Sequence, residues 1–202
     1  MRKAILHLKK TDPVLRAIVS RVGPYRIRYA EPDFETLARS IVFQQLSGRS
    51  ARAIFGRLKA LVSGNGRMTP HGVLARTEAE LCGAGLSHRK AEYVRDLAEK
   101  TRSGGIDFVR LSTLSDDEVI RQLTAVRGVG VWTAQMFLLF ALRRLDILAA
   151  GDLGIRSAIR LAYRLRTLPK PAKIEQLARK WHPYCSAACW YLWRSSDEVL
   201  LS

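Results

Sequence analysis

The sequence predicts an all-α protein of about ten helices. Helix-start residues recur along the chain, and apolar residues at helical spacing follow them. Segments with strand-like alternation are scarce, and no repeat, linker or low-complexity tract interrupts the pattern. The 202 residues are enough for one sizeable core, or for two small lobes that share one.

In the first half of the chain, capping residues mark the predicted helix starts. Asp12 and Pro13 open a helix that ends at Gly23, and Asp33 could cap the segment FETLARSIVFQQLS. The next helix, SARAIFGRLKALV, is broken by SGNG at 63–66. Three further helices are predicted from TPHGVLA, TEAELCGAG and SHRKAEYVRDLAEKTRSGG.

In the second half, Ser115 and Glu118 have the spacing of a capping box. The segment that follows, LTAVRGVGVWTAQMFLLFAL at 123–142, runs a Gly-Val-Gly step into an apolar helix. The last predicted helices are DLGIRSAIRLAYRL, AKIEQLARKW and YCSAACWYLWRSS.

The charge balance favours a polyanionic partner. Lys and Arg number 34 against 18 Asp and Glu, which gives a net charge of +16. No apolar run approaches the roughly 20 residues that a membrane span needs, so no membrane partner is expected. The N-terminal segment MRKAILHLKKTDP lacks a signal-peptide core. We therefore expect an intracellular protein, cytoplasmic at the nucleoid in a bacterium or nuclear in a eukaryote.

The cysteines and histidines predict neither a disulfide framework nor a metal site. The three cysteines, Cys82, Cys185 and Cys189, cannot all pair with one another and are expected to be reduced. An iron–sulfur cluster needs four cysteine ligands, which excludes it here. The histidines are scattered without metal-ligand spacing: His7, His71, His88 and His182.

The Gly-Val-Gly step predicts a tight turn between two helices. Glycine permits positive φ and a close approach of another backbone. The second helix begins just past Gly130, where free N–H groups and the positive end of the helix dipole suit a phosphate. Such contacts hold a nucleic-acid backbone without reading its sequence. An ordinary packing turn has the same local pattern, so both interpretations stay open on this motif alone.

The spacing from Leu123 to Ala134 resembles a helix-hairpin-helix motif, and the loop AAGDLGIRSA then places an aspartate, Asp152, after it. Together they resemble the helix-hairpin-helix DNA glycosylase superfamily. The segments that resemble its 3-methyladenine DNA glycosylase II branch are IVFQQLSGRSARAI (41–54), GLSHRKAEYVRDLA (85–98) and PYCSAACWYLWR (183–194). The resemblance runs from about residue 4 to 194. It implies one glycosylase domain over 1–202, with two helical lobes and a cleft, in a compact form without the extra N-terminal β-rich domain of larger members.

The resemblance implies a monofunctional DNA N-glycosylase that flips alkylated purines such as 3-methyladenine out of duplex DNA and releases them, in base-excision repair. Asp152 would be the catalytic carboxylate, because a negative charge stabilises the positive charge that builds on the sugar and could also orient water. An aspartate at a helix start is commonly only a cap, and the two roles could coexist. Relatives that also cut the strand carry a lysine where Trp132 stands, so no Schiff base is expected.

Two tryptophans are candidate walls of the base pocket. An indole at Trp132 would stack on an electron-poor alkylated purine with roughly 0.5–2 kcal/mol of cation–π attraction. Trp193 matches the second pocket tryptophan of the family, and Met136 follows Trp132 by one helical turn. Each of the three could instead be a core residue. Trp181 and Trp190 are assigned to packing.

The remaining candidate residues would contact DNA. The family fills the gap left by the flipped base with a side chain from the QQLS segment, which indicates Gln45 or Leu46, with Gln44 beside them. The other predicted contacts are Gly128, Val129, Gly130, Thr133, Arg89 and Lys90, with Arg49 and Arg52 nearby. No cofactor is expected, although the hairpin leaves room for a monovalent cation. The predicted partner is duplex DNA with alkylated bases, bound by a monomer.

Two positions depart from the family pattern. Ala149-Ala150 precede Asp152 where the family usually has a proline, and Cys185 stands where the family has an arginine after Pro-Tyr. Other readings also remain: a glycosylase for uracil or deaminated purines, a catalytically silent helix-hairpin-helix DNA-binding module, and a basic RNA-binding protein. Asp152 discriminates against the silent module, which has no need of it. The chain lacks the exposed aromatic sheet pattern of an RNA-recognition motif.

Overall fold

A computed structural model of the protein describes residues 1–64 and 66–199, with the side chains of 196–199 left out. This part of the chain contains twelve α-helices, a 3-10 turn at Arg110–Thr113 and one two-stranded hairpin. The predicted all-α class is confirmed. Among these residues no helix combines the length and the hydrophobicity that crossing a bilayer requires.

The chain forms two compact units. The unit built from both ends of the chain contains Met1–Tyr29 and the segment from Arg143 onward, and the central unit contains Ala30–Leu142. The helices, in chain order, are α1 (Arg2–Thr11), α2 (Pro13–Val22), α3 (Phe34–Phe43), α4 (Gly48–Val62), α5 (Pro70–Leu74), α6 (Glu78–Gly83), α7 (His88–Arg102), α8 (Asp116–Thr124), α9 (Val131–Phe140), α10 (Leu153–Ala162), α11 (Pro171–Ala178) and α12 (Cys185–Val199).

The predicted caps form as side-chain hydrogen bonds. Asp33 Oδ1 accepts from the N–H of Thr36 at 2.9 Å at the start of α3, and Ser115 and Glu118 form the capping box of α8. The α3 residues predicted to keep helical spacing are all buried: Phe34, Leu37, Ala38, Ile41 and Val42. In the central unit, α7 packs against α3, α5 and α6, and α8 packs against α9.

The structure differs from the sequence prediction at three places. The N-terminal segment, for which no helix was predicted, forms α1, a helix whose Ala4 and Leu8 are buried and whose basic residues lie on the solvent side. The SGNG segment contributes to a short antiparallel hairpin of Ser63–Gly64 (β1) and Arg67–Met68 (β2). Helix α3 ends at Phe43, so the QQLS segment lies in a turn rather than in the helix.

A buried carboxylate ties the unit built from both chain ends together. Asp12 caps α2, accepting from Val14 N–H at 2.9 Å. Its Oδ2 accepts from Trp181 Nε1 at 2.8 Å and from the Tyr163 hydroxyl, and Lys180 Nζ lies 3.2 Å away. Burial raises the pKa of Asp12, but the hydrogen bonds from Tyr163 and Trp181 outweigh burial, so the pKa lies below its ordinary value. The predicted packing role of Trp181 is confirmed, with its N–H satisfied.

We expect Asp12→Asn to lower the free energy of unfolding by about 3–5 kcal/mol at neutral pH, because the variant leaves buried donors around a neutral amide. The folded-state pKa of Asp12 lies below the unfolded value of about 3.9. Its charge therefore stabilises the fold above that value, and this stabilisation is lost as the pH falls through the folded-state pKa. In urea unfolding at several pH values, the gap between wild type and variant should shrink below about pH 4. A gap independent of pH would contradict this assignment.

Candidate active site

The hairpin between α8 and α9 contains Gly128 and Gly130, and the fold requires glycine only at the first of them. Gly128 has a φ of 77°, and a Cβ there would lie 2.1 Å from Cδ2 of Tyr93. Gly130 has a φ of −94°, and a Cβ there would meet no atom within 4 Å. The chain's own packing therefore explains Gly128 but not Gly130. The bare backbone at Gly130 leaves open space in which a group from outside the chain can approach.

At the start of α9, Val131 and Trp132 are exposed, and no side chain caps the free backbone N–H groups. Gly130 is the N-cap and supplies no capping side chain. The side chains of Val129 and Thr133, two predicted DNA contacts, are buried, each only 5 % exposed. The N–H of Val129 is already used, since it donates to Val126 O at 3.1 Å. A phosphate at this hairpin would meet N–H groups and the helix dipole.

Asp96, which the sequence analysis did not single out, anchors the hairpin from α7. Its Oδ2 accepts from the N–H of Arg127 at 2.8 Å, and its Oδ1 accepts from Lys100 Nζ at 2.6 Å. Burial raises the pKa of Asp96, but the hydrogen bonds from Lys100 and Arg127 outweigh burial and hold the pKa below its ordinary value. The carboxylate thus fixes the residue immediately before Gly128.

A cavity of about 460 Å³ in the central unit brings predicted pocket and DNA-contact residues together. It is lined by Arg39, Ser40, Phe43, Gln44, Gln45, Trp132, Thr133 and Met136. Trp132 is 50 % exposed, which excludes a purely core role for its indole. Arg39, Ser40 and Phe43 of α3 were not predicted as pocket residues. Phe43 immediately precedes the QQLS turn and the other two lie one turn earlier on α3, so their nearness to QQLS is the signal that could have found them.

The QQLS turn holds its exposed residues in a defined conformation. Gln44 Nε2 donates to Gly128 O at 2.9 Å, which ties the turn to the hairpin. Gln45 follows with a φ of 55°, a left-handed conformation that is uncommon for a residue other than glycine. Leu46 is 39 % exposed, so an apolar side chain stands in solvent beside Gln45. Both side chains are therefore available to a partner.

Lys90, a predicted DNA contact, is engaged within the protein. Its Nζ donates to the carbonyl oxygens of Val42 and Gln44, each at 2.7 Å, at the end of α3. Burial lowers the pKa of its ammonium. The structure thus gives Lys90 a role in holding the QQLS turn, which the sequence analysis did not predict. Arg89 beside it is exposed, and its Nη2 donates to the Tyr93 hydroxyl at 3.1 Å.

In the unit built from both chain ends, Asp152 is half-buried at the start of α10. Its Oδ1 accepts from the N–H of Ile155 at 2.8 Å and from the indole Nε1–H of Trp193 at 2.9 Å. The cap predicted for Asp152 is therefore present. The hydrogen bond from Trp193 orients the carboxylate, a contact that the sequence analysis missed. A Cβ at Gly154 would lie 3.2 Å from Cδ1 of Trp193, so a glycine there lets the indole approach.

The loop before Asp152 is held by packing in place of the proline usual in the family. Ala149 and Ala150 are both buried. The N–H of Asp152 donates to Ala149 O at 3.0 Å, and Cys189 Sγ lies 3.7 Å from Ile147 O. These contacts fix the backbone that carries the carboxylate. All three cysteines are free, as predicted.

Comparison with known proteins identifies the family. The family described as "HhH-GPD superfamily base excision DNA repair protein" matches residues 38–183, more than half of the chain. The chain belongs to the HhH-GPD superfamily. This confirms the resemblance of the hairpin and the Asp152 loop to that superfamily.

The similarity of this HhH-GPD protein to its relatives extends over nearly the whole chain. The Schizosaccharomyces pombe protein named DNA-3-methyladenine glycosylase 1 is 36% identical over 202 residues, which cover 97% of this chain and 88% of that protein. A solved structure of S. pombe 3-methyladenine DNA glycosylase in complex with abasic DNA has a TM-score of 0.85 and 36% identity, covering 96% of this chain and 97% of that one. A DNA-3-methyladenine glycosidase from Bacillus halodurans has a TM-score of 0.88 and 34% identity, covering 98% and 91%.

Proposed function

We propose that the protein is a monofunctional DNA-3-methyladenine glycosylase, which hydrolyses the N-glycosyl bond of alkylated purines in duplex DNA during base-excision repair. The observation that carries the proposal is the oriented carboxylate of Asp152, fixed by the Ile155 N–H and the Trp193 indole in an HhH-GPD protein. The names of the S. pombe and B. halodurans relatives, which this chain matches over at least 96% of its length, support the same activity.

The proposed reaction needs charge stabilisation more than covalent catalysis. When the glycosyl bond breaks, its electron pair leaves with the base and positive charge builds on the sugar. The fixed negative charge of Asp152 stabilises that charge without reorganising during the reaction. Water then adds to C1′ and loses a proton, for which Asp152 is a suitable acceptor. The products are the free base and an abasic site.

The cavity of the central unit suits a flipped base. Removing a base from the duplex stack costs a few kcal/mol, which contacts in a pocket must offset. The half-exposed indole of Trp132 offers a face to an electron-poor alkylated ring, and Met136 adds a polarisable neighbour. Gln45 and Leu46, exposed in the QQLS turn, are the side chains proposed to fill the gap in the stack.

The proposed partner is duplex DNA bound by one copy of the protein. The net charge of +16 and the open backbone at Gly130 support binding through phosphates. The S. pombe structure contains abasic DNA, the class of product that the proposed reaction leaves. The absence of an amine at position 132, where Trp132 stands, supports release of the base without strand cleavage.

Base release from methylated DNA tests the proposal. The protein is incubated with dimethyl-sulfate-treated duplex, and the freed bases are separated by chromatography. We expect 3-methyladenine in the supernatant and abasic sites in strands that stay intact until alkali is added. Borohydride should trap no covalent adduct, because position 132 holds a tryptophan and not the lysine that would form a Schiff base. In separate incubations, duplexes that contain uracil or deaminated purines serve as alternative substrates. Release of those bases without release of 3-methyladenine, or a trapped adduct, would contradict the proposal.

A further inference from the structure

A cluster of potential metal ligands that does not include Asp152 lies where the segment before Asp152 meets the start of α12. The three residues are Asp146, His182 and Cys185, and their ligand atoms all lie within 4.8 Å of one another. Asp146 Oδ2 is 2.7 Å from His182 Nδ1, and Cys185 Sγ is 3.6 Å from the same nitrogen. His182 is three residues before Cys185, but Asp146 is 39 residues from Cys185 along the chain, so the sequence alone does not bring the three ligands together.

The distances fit a tetrahedral zinc ion. With Zn–S of about 2.3 Å and Zn–N of about 2.0–2.1 Å, sulfur and nitrogen ligands lie roughly 3.6 Å apart, as Cys185 Sγ and His182 Nδ1 do here. The oxygen and nitrogen ligands of such a site lie roughly 3.4 Å apart, so Asp146 and His182 must separate by about 0.7 Å. The His182 side chain is 49 % exposed and has room for that shift.

The donors around the cluster orient its ligands. Asp146 Oδ1 accepts from the N–H of Cys185 at 3.1 Å, which directs the other carboxylate oxygen, Oδ2, toward His182. Hydrogen bonds of this kind to a ligating carboxylate are typical of metal sites. Cys185 is fully buried, whereas Asp146 and His182 are partly exposed, so an ion can reach the cluster from solvent.

We propose that Asp146, His182 and Cys185 bind one Zn²⁺ ion through a carboxylate oxygen, an imidazole nitrogen and a thiolate, with water as the fourth ligand. Thiolate and imidazole ligands select a transition metal over Mg²⁺ or Ca²⁺. Binding replaces the thiol proton of Cys185, which leaves to solvent. His182 binds as a neutral imidazole through Nδ1, so the proton that Nδ1 donates to Asp146 is lost and the ring keeps one on Nε2. No redox change is involved.

The site would fasten the segment before Asp152 to α12. Ser186, next to Cys185, already donates from Oγ to Arg144 O at 2.7 Å and accepts from Ile147 N–H at 2.9 Å. The same helix carries Trp193, whose indole donates to Asp152. A bound ion would therefore link the segment before Asp152 to α12, and its main effect would be to raise the stability of the folded protein.

Another carboxylate, thiol and imidazole lie close together in the central unit, and they can be compared with the cluster at α12. They belong to Glu78, Cys82 and His88. The His88 side chain is 83 % exposed and the Glu78 side chain 48 %. Here Cys82 Sγ lies 3.8 Å from His88 Nδ1, and no hydrogen bond comparable with that from Cys185 N–H to Asp146 is present among the contacts of the described residues. We therefore assign the ion to the cluster at α12.

Cobalt titration tests the site, because thiolate-bound Co²⁺ absorbs through charge transfer and tetrahedral Co²⁺ absorbs in the visible. The full chain, freed of metal with a chelator, should develop a thiolate–cobalt band at one equivalent and lose the band on addition of Zn²⁺. Zn²⁺ should also raise the melting temperature. Cys185→Ser should abolish the band, and His182→Gln should weaken Co²⁺ binding by at least about tenfold.

Cys82→Ser and Cys189→Ala are the matched controls, and both should keep the band. The proposal is wrong if wild type gives no thiolate–cobalt band, if Cys185→Ser keeps it, or if Cys82→Ser loses it. Because His182 is half-exposed, His182→Gln should melt like wild type in chelator. If Cys185→Ser does not fold, His182→Gln provides the test. Unchanged Co²⁺ affinity in His182→Gln would overturn the assignment.

Discussion

Asp152→Asn is expected to slow release of 3-methyladenine by at least about 100-fold while the protein keeps its fold and its DNA affinity. Asparagine is as good a helix cap as aspartate, and its amide oxygen can still accept from Ile155 N–H and Trp193 Nε1–H. The substitution therefore removes the negative charge and little else. Single-turnover release from methylated duplex, compared with binding to the same duplex, separates the two effects.

Asp33→Asn is the matched control for this prediction. Asp33 is also an N-cap aspartate, and its Oδ1 accepts from Thr36 N–H at 2.9 Å, but it starts α3. The control variant should release base at the wild-type rate. Wild-type release by Asp152→Asn would remove Asp152 from the proposed mechanism, whereas an equal loss in both variants would attribute the effect to capping.

The second large effect is expected at the hairpin, where two glycines should respond in opposite ways. Gly128→Ala should lower the free energy of unfolding by about 2–5 kcal/mol, because alanine is disfavoured at a φ of 77° and its Cβ would overlap the Tyr93 ring. Gly130→Ala should change stability by less than about 0.5 kcal/mol, because its Cβ would enter open space. The same methyl should weaken DNA binding by about tenfold, the value of one charge-assisted hydrogen bond.

Chemical denaturation and DNA titration of the two variants check this contrast. A Tyr93→Ala background should reduce the cost of Gly128→Ala to about 1–2 kcal/mol, which leaves only the cost of the backbone conformation. Unchanged DNA affinity in Gly130→Ala would mean that the hairpin does not hold a phosphate. Full stability of Gly128→Ala would mean that Tyr93 does not lie where the structure has it.

Local signals allowed much of the fold to be predicted. Asp12, Asp33 and Ser115 were predicted to start helices, and each accepts the expected backbone N–H. Such caps depend on residues two or three positions away, so a single sequence contains the whole interaction. The end of α3 at Phe43 was missed because the carbonyls there are satisfied by Lys90, a residue of another helix.

Residues of the candidate site could be predicted from the sequence only where they belong to a recognisable motif. Asp152 and Trp132 were found through the resemblance of their surroundings to a glycosylase family. The hydrogen bond from Trp193 to Asp152 joins residues 41 positions apart, and the cluster of Asp146 with His182 spans 36. No periodicity or local propensity connects such residues, because tertiary packing alone brings them together.

The discontinuous unit also has a consequence for biosynthesis. The central unit, Ala30–Leu142, is a continuous stretch and can fold on the ribosome as soon as it emerges. The other unit must wait, because Asp12 finds its partners Tyr163 and Trp181 only 151 and 169 residues later. Until α12 has been synthesised, the apolar faces of α1 and α2 that it covers stay exposed, and this interval is when the nascent chain most needs chaperone protection.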